Sequence, residues 1–227
     1  MPQLSAPSAV MPSINNQAER LITLGLPAAI TDETLRRAAA RLATSAPEGS
    51  LLVLHERVAP ASDLAPLMSL PAPGRAGKAG ERRHGFVVTD MTDVDLFGPT
   101  PDAELPNADV YVVTGLQRGD DMQNWSPEEA EPTLRNAERT PLTLTEGIHW
   151  ALQLPGIIEP GACFMTIGSR LVKPNGKYDT RTPALWISGG TGRDGAENKG
   201  APKVGWCWWR NRHTWLGIAS AKARVTH

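Results

Sequence analysis

Cysteine is scarce: Cys163 and Cys207 are the only two in 227 residues, which excludes a disulfide framework and favours free reduced thiols. Long apolar runs are missing too. The longest, such as Ala108 to Val113 interrupted by Asp109, falls far short of the roughly 20 residues that cross a bilayer, so no membrane partner is expected. A formal net charge of −1 removes any bulk attraction to polyanions and leaves only local patches to make one. Nucleic acid is therefore an unlikely partner. Residues 1–16 have neither a basic start nor an apolar stretch, so they read as a mobile tail and not a signal peptide, and a cytoplasmic location is expected. No CxxC, HExxH, DxDxDG, GxSxG or GxxxxGK[ST] spacing occurs, so neither a metal nor a cofactor is expected.

What is present is average globular chemistry, with 41% apolar and 21% charged residues, arranged in short punctuated segments. Helical apolar spacing over Gln17–Leu26 and Thr31–Thr44 predicts an opening helical pair, the second capped by Thr31 or Asp32. Leu51–His55, Gly85–Asp90 and Val110–Thr114 read as strands. The stretch 71–84, rich in Pro, Gly and cations, predicts an exposed loop. Ser126 with Glu129, and Thr143 with Glu146, have the three-residue spacing of capping boxes and predict helices over Pro127–Arg139 and from Thr143 to the stop at Pro155. Cys163–Ile167, Ala184–Ser188, Lys203–Trp209 and Trp215–Ser220 read as late strands in a meander. With no helices between those late strands, a doubly wound parallel sheet is disfavoured. The expectation is a single α+β domain over 17–227, with a mixed or mostly antiparallel sheet and flanking helices.

The order of landmarks NWSPEEA (Asn124–Ala130), PLTLTEGI (Pro141–Ile148), CFM from Cys163, PALWIS from Pro183, KVGWCW and HTWLGIASA resembles an uncharacterised family of actinobacterial domains of unknown function. The likeness extends more loosely to RLITLG near residue 20 and GFVVTDMTD at 85–93. It implies one domain over most of the chain and carries over no catalytic residue.

Lys203–Ser220 concentrates Trp206, Trp208, Trp209 and Trp215 with Cys207, Arg210, Arg212 and His213. Period two puts Trp206, Trp208 and Arg210 on one strand face and Gly205, Cys207 and Trp209 on the other. One face is core, and the other can wall a pocket with flat indoles, Trp186 among them; core packing of all the rings is the competing expectation. His213 beside two arginines, whose like charge disfavours the imidazolium, is the general-base candidate, with a solvated turn histidine as the plain alternative. Cys207 is a nucleophile if those cations lower its pKa, and otherwise a small hydrophobe. The glycine-rich segment 189–202 imitates a phosphate loop, but it joins strand to strand; Lys203, Lys199 and Arg193 can meet an anion there. Glu146 and His149, three apart on one helix face, form a further possible acid/base pair.

Two functions follow from this inventory. The first is a cofactor-independent enzyme acting on a small aromatic or acyl metabolite by proton transfer, cyclisation or hydrolysis, with His213, Cys207 and Arg212 catalytic and Trp206, Trp208, Trp215, Trp186, Arg170, Arg210 and Lys203 binding the substrate. The second is a non-catalytic module that binds a small ligand, a partner or single-stranded nucleic acid through tryptophans and arginines. Oligomeric state is not readable from the sequence.

Overall fold

The computed structural model describes residues 10–26, 29–72 and 81–226, the side chain of Arg193 excepted. Most of the expected tail, residues 1–9, and the middle of the expected loop, residues 73–80, lie outside the described residues.

Helix α1 (Ile14–Thr23) starts three residues before the apolar spacing indicates, because the Ser13 hydroxyl accepts the Asn16 N–H and Ile14 is buried. Residues 14–16 therefore belong to the helix and not to a tail. Helix α2 (Asp32–Leu42) is capped by Thr31 as expected. Strand β1 (Leu51–Leu54) and the short helix α3 (Ala61–Leu64) lead to β2 (Ser69–Pro71) and β3 (Arg82–His84). These two pair antiparallel, so the ends of the predicted loop are strand, tied by Arg82 donating to the Ser69 hydroxyl and carbonyl. Strands β4 (Phe86–Val87), β5 (Phe97–Pro99) and β6 (Val110–Thr114) follow, then α4 (Pro127–Asn136), β7 (Thr140–Pro141) and α5 (Leu144–Gln153). Both capping boxes are formed, each with the glutamate accepting the N-cap backbone N–H. The remaining strands are β8 (Cys163–Met165), β9 (Ser169–Leu171), β10 (Arg181–Ile187), β11 (Pro202–Trp208), β12 (Leu216–Ile218), β13 (Ser220–Ala221) and β14 (Ala223–Val225).

The architecture is α+β with mostly antiparallel pairing. A three-stranded sheet runs β1–β6–β14 and a five-stranded one β12–β8–β10–β11–β4, with three two-stranded ribbons beside them. Helix α5 packs against β1 on one side and β10 on the other, and all ten of its residues are buried. Gly147 allows this close approach: a Cβ there would lie 2.6 Å from Thr166 Cγ2, in the turn after β8. Strands β1 and β6 are buried on both faces, which explains their unbroken apolar runs LLVL and VYVV. The late strands are not a meander. Only β10 and β11 form a hairpin, in register from Arg181↔Trp208 to Ile187↔Pro202, whereas β12 crosses to the opposite edge and lies parallel to β8. Among the described residues no helix is long and apolar enough to cross a membrane.

Candidate functional site

Arg170 sits in the middle of β9, where it pairs with Gly98 of β5, a residue without a side chain to crowd it. Its guanidinium lies 3.8 Å from the ring centroid of Trp209, just past the end of β11, and 4.9 Å from that of Tyr178. Trp209 is placed by its N–H donating to the Thr180 carbonyl at 2.7 Å, and Tyr178 by a bridge to Val172. Arg170 is only 7% exposed. It donates from Nη2 to the Asp179 carbonyl at 2.7 Å, while Nε has no hydrogen-bond partner.

Other buried arginines of the fold are handled differently. Arg118 is bidentate on Asp120, Arg181 meets both Asp93 and Asp179, and Arg224 is bidentate on Glu146. The Asp179 carboxylate is thereby committed to Arg181, leaving only its carbonyl for Arg170. Among the described residues Arg170 has no carboxylate within ion-pair distance. Burial of an ion costs several kcal/mol, at about that order per charge, and two ring contacts of roughly 0.5–2 kcal/mol each offset it only in part. Burial accordingly pushes the Arg170 guanidinium down from its ordinary value.

The stacked guanidinium faces a cleft of about 370 Å³ lined also by Thr100, Pro101, Asp102 and Glu131, within the size range of small-ligand pockets. Thr100 Oγ1 is buried without a partner. Glu131, on α4, has its carboxyl raised by burial first and by the charge of Asp102 second. The cleft thus combines two flat rings, a cation with unused donor capacity, a hydroxyl and a carboxyl held toward its protonated form. It can take a planar ligand with an anionic group.

Of the residues singled out from sequence, Arg170 and Trp209 line this cleft and the others do not. Trp206 and Trp208 form an edge-to-face pair 4.6 Å apart, with Trp208 exposed. On the opposite face of the hairpin Trp186 covers Gly205 and meets Trp215 at 6.0 Å, and Trp215 meets His213 at 5.4 Å. The His213 imidazole is lowered by burial, not by the neighbouring arginines. Arg210 pairs with Glu128 and Arg212 with Glu129 at the start of α4, so neither cation is left to act on His213 or on Cys207. Arg212 lines a separate cleft with Asn124 and Trp125. Cys207 is buried, facing Thr182 across the hairpin. The other thiol, Cys163, is pushed up to about 11 by burial.

Lys203 is also accounted for internally. Its ammonium lies over the Trp186 ring at 4.5 Å and 2.5 Å from Asp194 Oδ2, which accepts the Ser188 hydroxyl as well. The glycine-rich segment is therefore pinned by its own carboxylate. Gly190, Gly192 and Gly195 have the spacing of a dinucleotide-binding turn, but a 3-10 turn (Gly192–Asp194) lies among them, and a second one (Ala196–Asn198) and β11 follow in place of the helix that such a turn needs. Glu146 and His149 are structural: Glu146 accepts from Tyr111, Arg224 and the Thr143 backbone, and His149 is fully buried. No group of acidic, histidine or cysteine side chains suited to a metal ion occurs among the described residues.

Residues 20–227 match the model of a family described as one of unknown function, DUF5701. The chain belongs to DUF5701. No curated protein and no solved structure matches it. For a DUF5701 chain the functional argument accordingly rests on the cleft itself, and three of its groups, Thr100, Glu131 and Tyr178, were not proposed as ligand contacts from sequence. Thr100 and Tyr178 carry no pattern that marks them. Glu131 stands in an acidic run that the helix start explains.

Proposed function

We propose that the chain binds a small planar ligand, aromatic or acyl, through a carboxylate or comparable anion on Arg170, with its flat body between Trp209 and Tyr178. The observation that carries this reading is a buried, doubly stacked guanidinium with an unpartnered Nε and, among the described residues, no carboxylate within ion-pair distance, Glu131 and Asp179 acting on it only from farther off. A ligand anion would supply the missing charge, and the rings would exclude water around it. Titration of intrinsic tryptophan fluorescence with benzoate, phenylpyruvate and indole-3-acetate tests it. At least one should bind, and Arg170→Gln should weaken that binding by about tenfold or more, since hydrogen bonds to a charged group contribute about 1.5–3 kcal/mol. Silence across the panel, or unchanged affinity in Arg170→Gln, would overturn the proposal.

Glu131 favours a second reading, in which the ligand is also a substrate for cofactor-independent proton transfer. Its carboxyl lines the same cleft and is raised by burial, the direction that makes a carboxylate a stronger base for taking and returning a proton. With phenylpyruvate the carbanion-side proton would pass from Cβ to the Glu131 carboxylate, and a solvent deuteron would return by the same route. Exchange followed by NMR in D₂O should run at least tenfold above the buffer rate with the native chain, and fall to that rate with Glu131→Gln. Equal rates with and without protein would exclude it.

A further inference from the structure

The cleft at Arg170 does not end at Glu131. Asp102 and Glu131 also line a second compartment of about 530 Å³, bordered by the end of α4, β7 and β14. Its charged groups divide into those already satisfied and those still open. Asp102 is held by Arg135 at 2.6 Å. Arg224 is consumed by Glu146, Thr140 and the Pro141 carbonyl. What remains, beside Glu131 with its raised carboxyl, is two cations and two carboxylates. Arg139 donates only to the Ser220 hydroxyl and to the Gly115 and Ser220 carbonyls, and Lys222, Glu104 and Glu138 have no ion pair among the described residues. Glu104 and Glu138 both hold left-handed backbone, at φ 44° and 52°, a conformation that glycine would adopt at less cost.

A compartment offering both signs of free charge suits neither a simple anion nor a simple cation, because either would be attracted by one pair and repelled by the other. A group carrying an ammonium and a carboxylate satisfies both. We infer that the two compartments form one site whose ligand is a small amino acid with a planar acidic end: the acidic end on Arg170 between the rings, the ammonium toward Glu104 and Glu138, and the carboxylate toward Arg139 and Lys222. This inference rests on the Arg170 reading above and adds the ligand's second end. Glu131 lines both compartments, and burial raises its carboxyl, which lessens its repulsion of a ligand lying across the junction.

Calorimetric titration of the full chain with three probes tests the inference: 4-methylbenzoate, which has only the planar acid; terephthalate, which adds a second anion; and 4-carboxyphenylglycine, which adds the ammonium and carboxylate together. The amino acid should bind about tenfold more tightly than 4-methylbenzoate, as two partly exposed charge pairs allow, while terephthalate should gain little. Lys222→Gln and Glu138→Gln, both at exposed positions, should each cut the amino acid's advantage by about threefold, and Glu138→Gln should at the same time improve terephthalate. If 4-methylbenzoate binds and the amino acid shows no advantage, or terephthalate gains as much, or the advantage survives both substitutions, the two-compartment ligand is wrong although the Arg170 cleft stands. If the amino acid fails to bind while a member of the earlier panel binds, this inference alone falls; if 4-methylbenzoate and the whole earlier panel fail to bind, the Arg170 reading falls and this inference falls with it.

Discussion

Replacing Arg224 with methionine should destabilise the fold by about 3–5 kcal/mol, the cost of stranding a buried charge whose partner has been removed. Glu146 is 0% exposed and its carboxylate accepts from Arg224 Nε at 2.6 Å, Arg224 Nη2 at 2.7 Å, the Tyr111 hydroxyl at 3.0 Å and the Thr143 N–H at 2.8 Å. Methionine fills much of the arginine's volume, so lost packing contributes little and the stranded carboxylate dominates. Glu146→Gln in the same chain removes that charge while keeping an acceptor for the helix cap. The double variant should therefore be more stable than Arg224→Met alone, a non-additivity expected of contacting residues. Urea unfolding of the native chain, the two single variants and the double variant decides it: a loss below about 1 kcal/mol for Arg224→Met, or simple additivity, would show that the pair does not fasten β14 to α5 as described.

His149 should contribute a loss of stability on the acid side. The ring is enclosed in α5, with Nε2 accepting the Leu54 N–H at 3.2 Å, so Nδ1 must carry the proton it donates to the Thr145 carbonyl at 2.8 Å. A second proton would have to sit on Nε2, against the Leu54 N–H. Burial accordingly drives the imidazole from 6.5 down to about 4. Because the folded value is depressed, the unfolded chain binds more protons between the two values, and stability falls as pH is lowered through that window. The full contribution, present above the unfolded value, is about 3 kcal/mol at roughly 1.4 kcal/mol per unit. Over the same window the Glu56 carboxyl, pushed up by burial to about 7, acts with the opposite sign, so the test is the difference between chains: on lowering pH from 7 to 4 the urea midpoint of His149→Gln should fall less, or rise more, than that of the native chain, whatever the variant's absolute stability. An imidazole that titrates near its ordinary value in NMR spectra of the folded chain would refute the assignment.

Two of the helices show how far local pattern reaches. Ser126 with Glu129, and Thr143 with Glu146, mark helix starts that the structure forms with both reciprocal hydrogen bonds in place, because each box closes within four residues of chain. The strand VYVVT is legible at its ends for a similar reason, its apolar run being bounded by turn residues. By contrast, the parallel pairing of β12 with β8 has no local signature: it joins Leu216 to Cys163 across a chain separation that periodicity does not address. The density of tryptophans drew attention to the hairpin around Trp206 and Trp208, yet the ring that meets the Arg170 guanidinium in the cleft is Trp209, one residue beyond the strand. Strand alternation assigns faces and says nothing about what an adjoining loop brings up to them.

From its own residues the chain determines its α+β class, its capped helices and most of its strand segments, since these depend on interactions spanning a few positions. Tertiary structure alone decides which arginines are neutralised. Asp93, Asp179 and Glu146 reach Arg181 and Arg224 from 2 to 88 positions away and satisfy them, while Arg170 is enclosed by Thr100, Glu131, Tyr178 and Trp209 with no carboxylate among the described residues close enough to form an ion pair. Charge compensation is a matter of distance in space, and composition, which balances at −1 overall, does not record where the balance is left open.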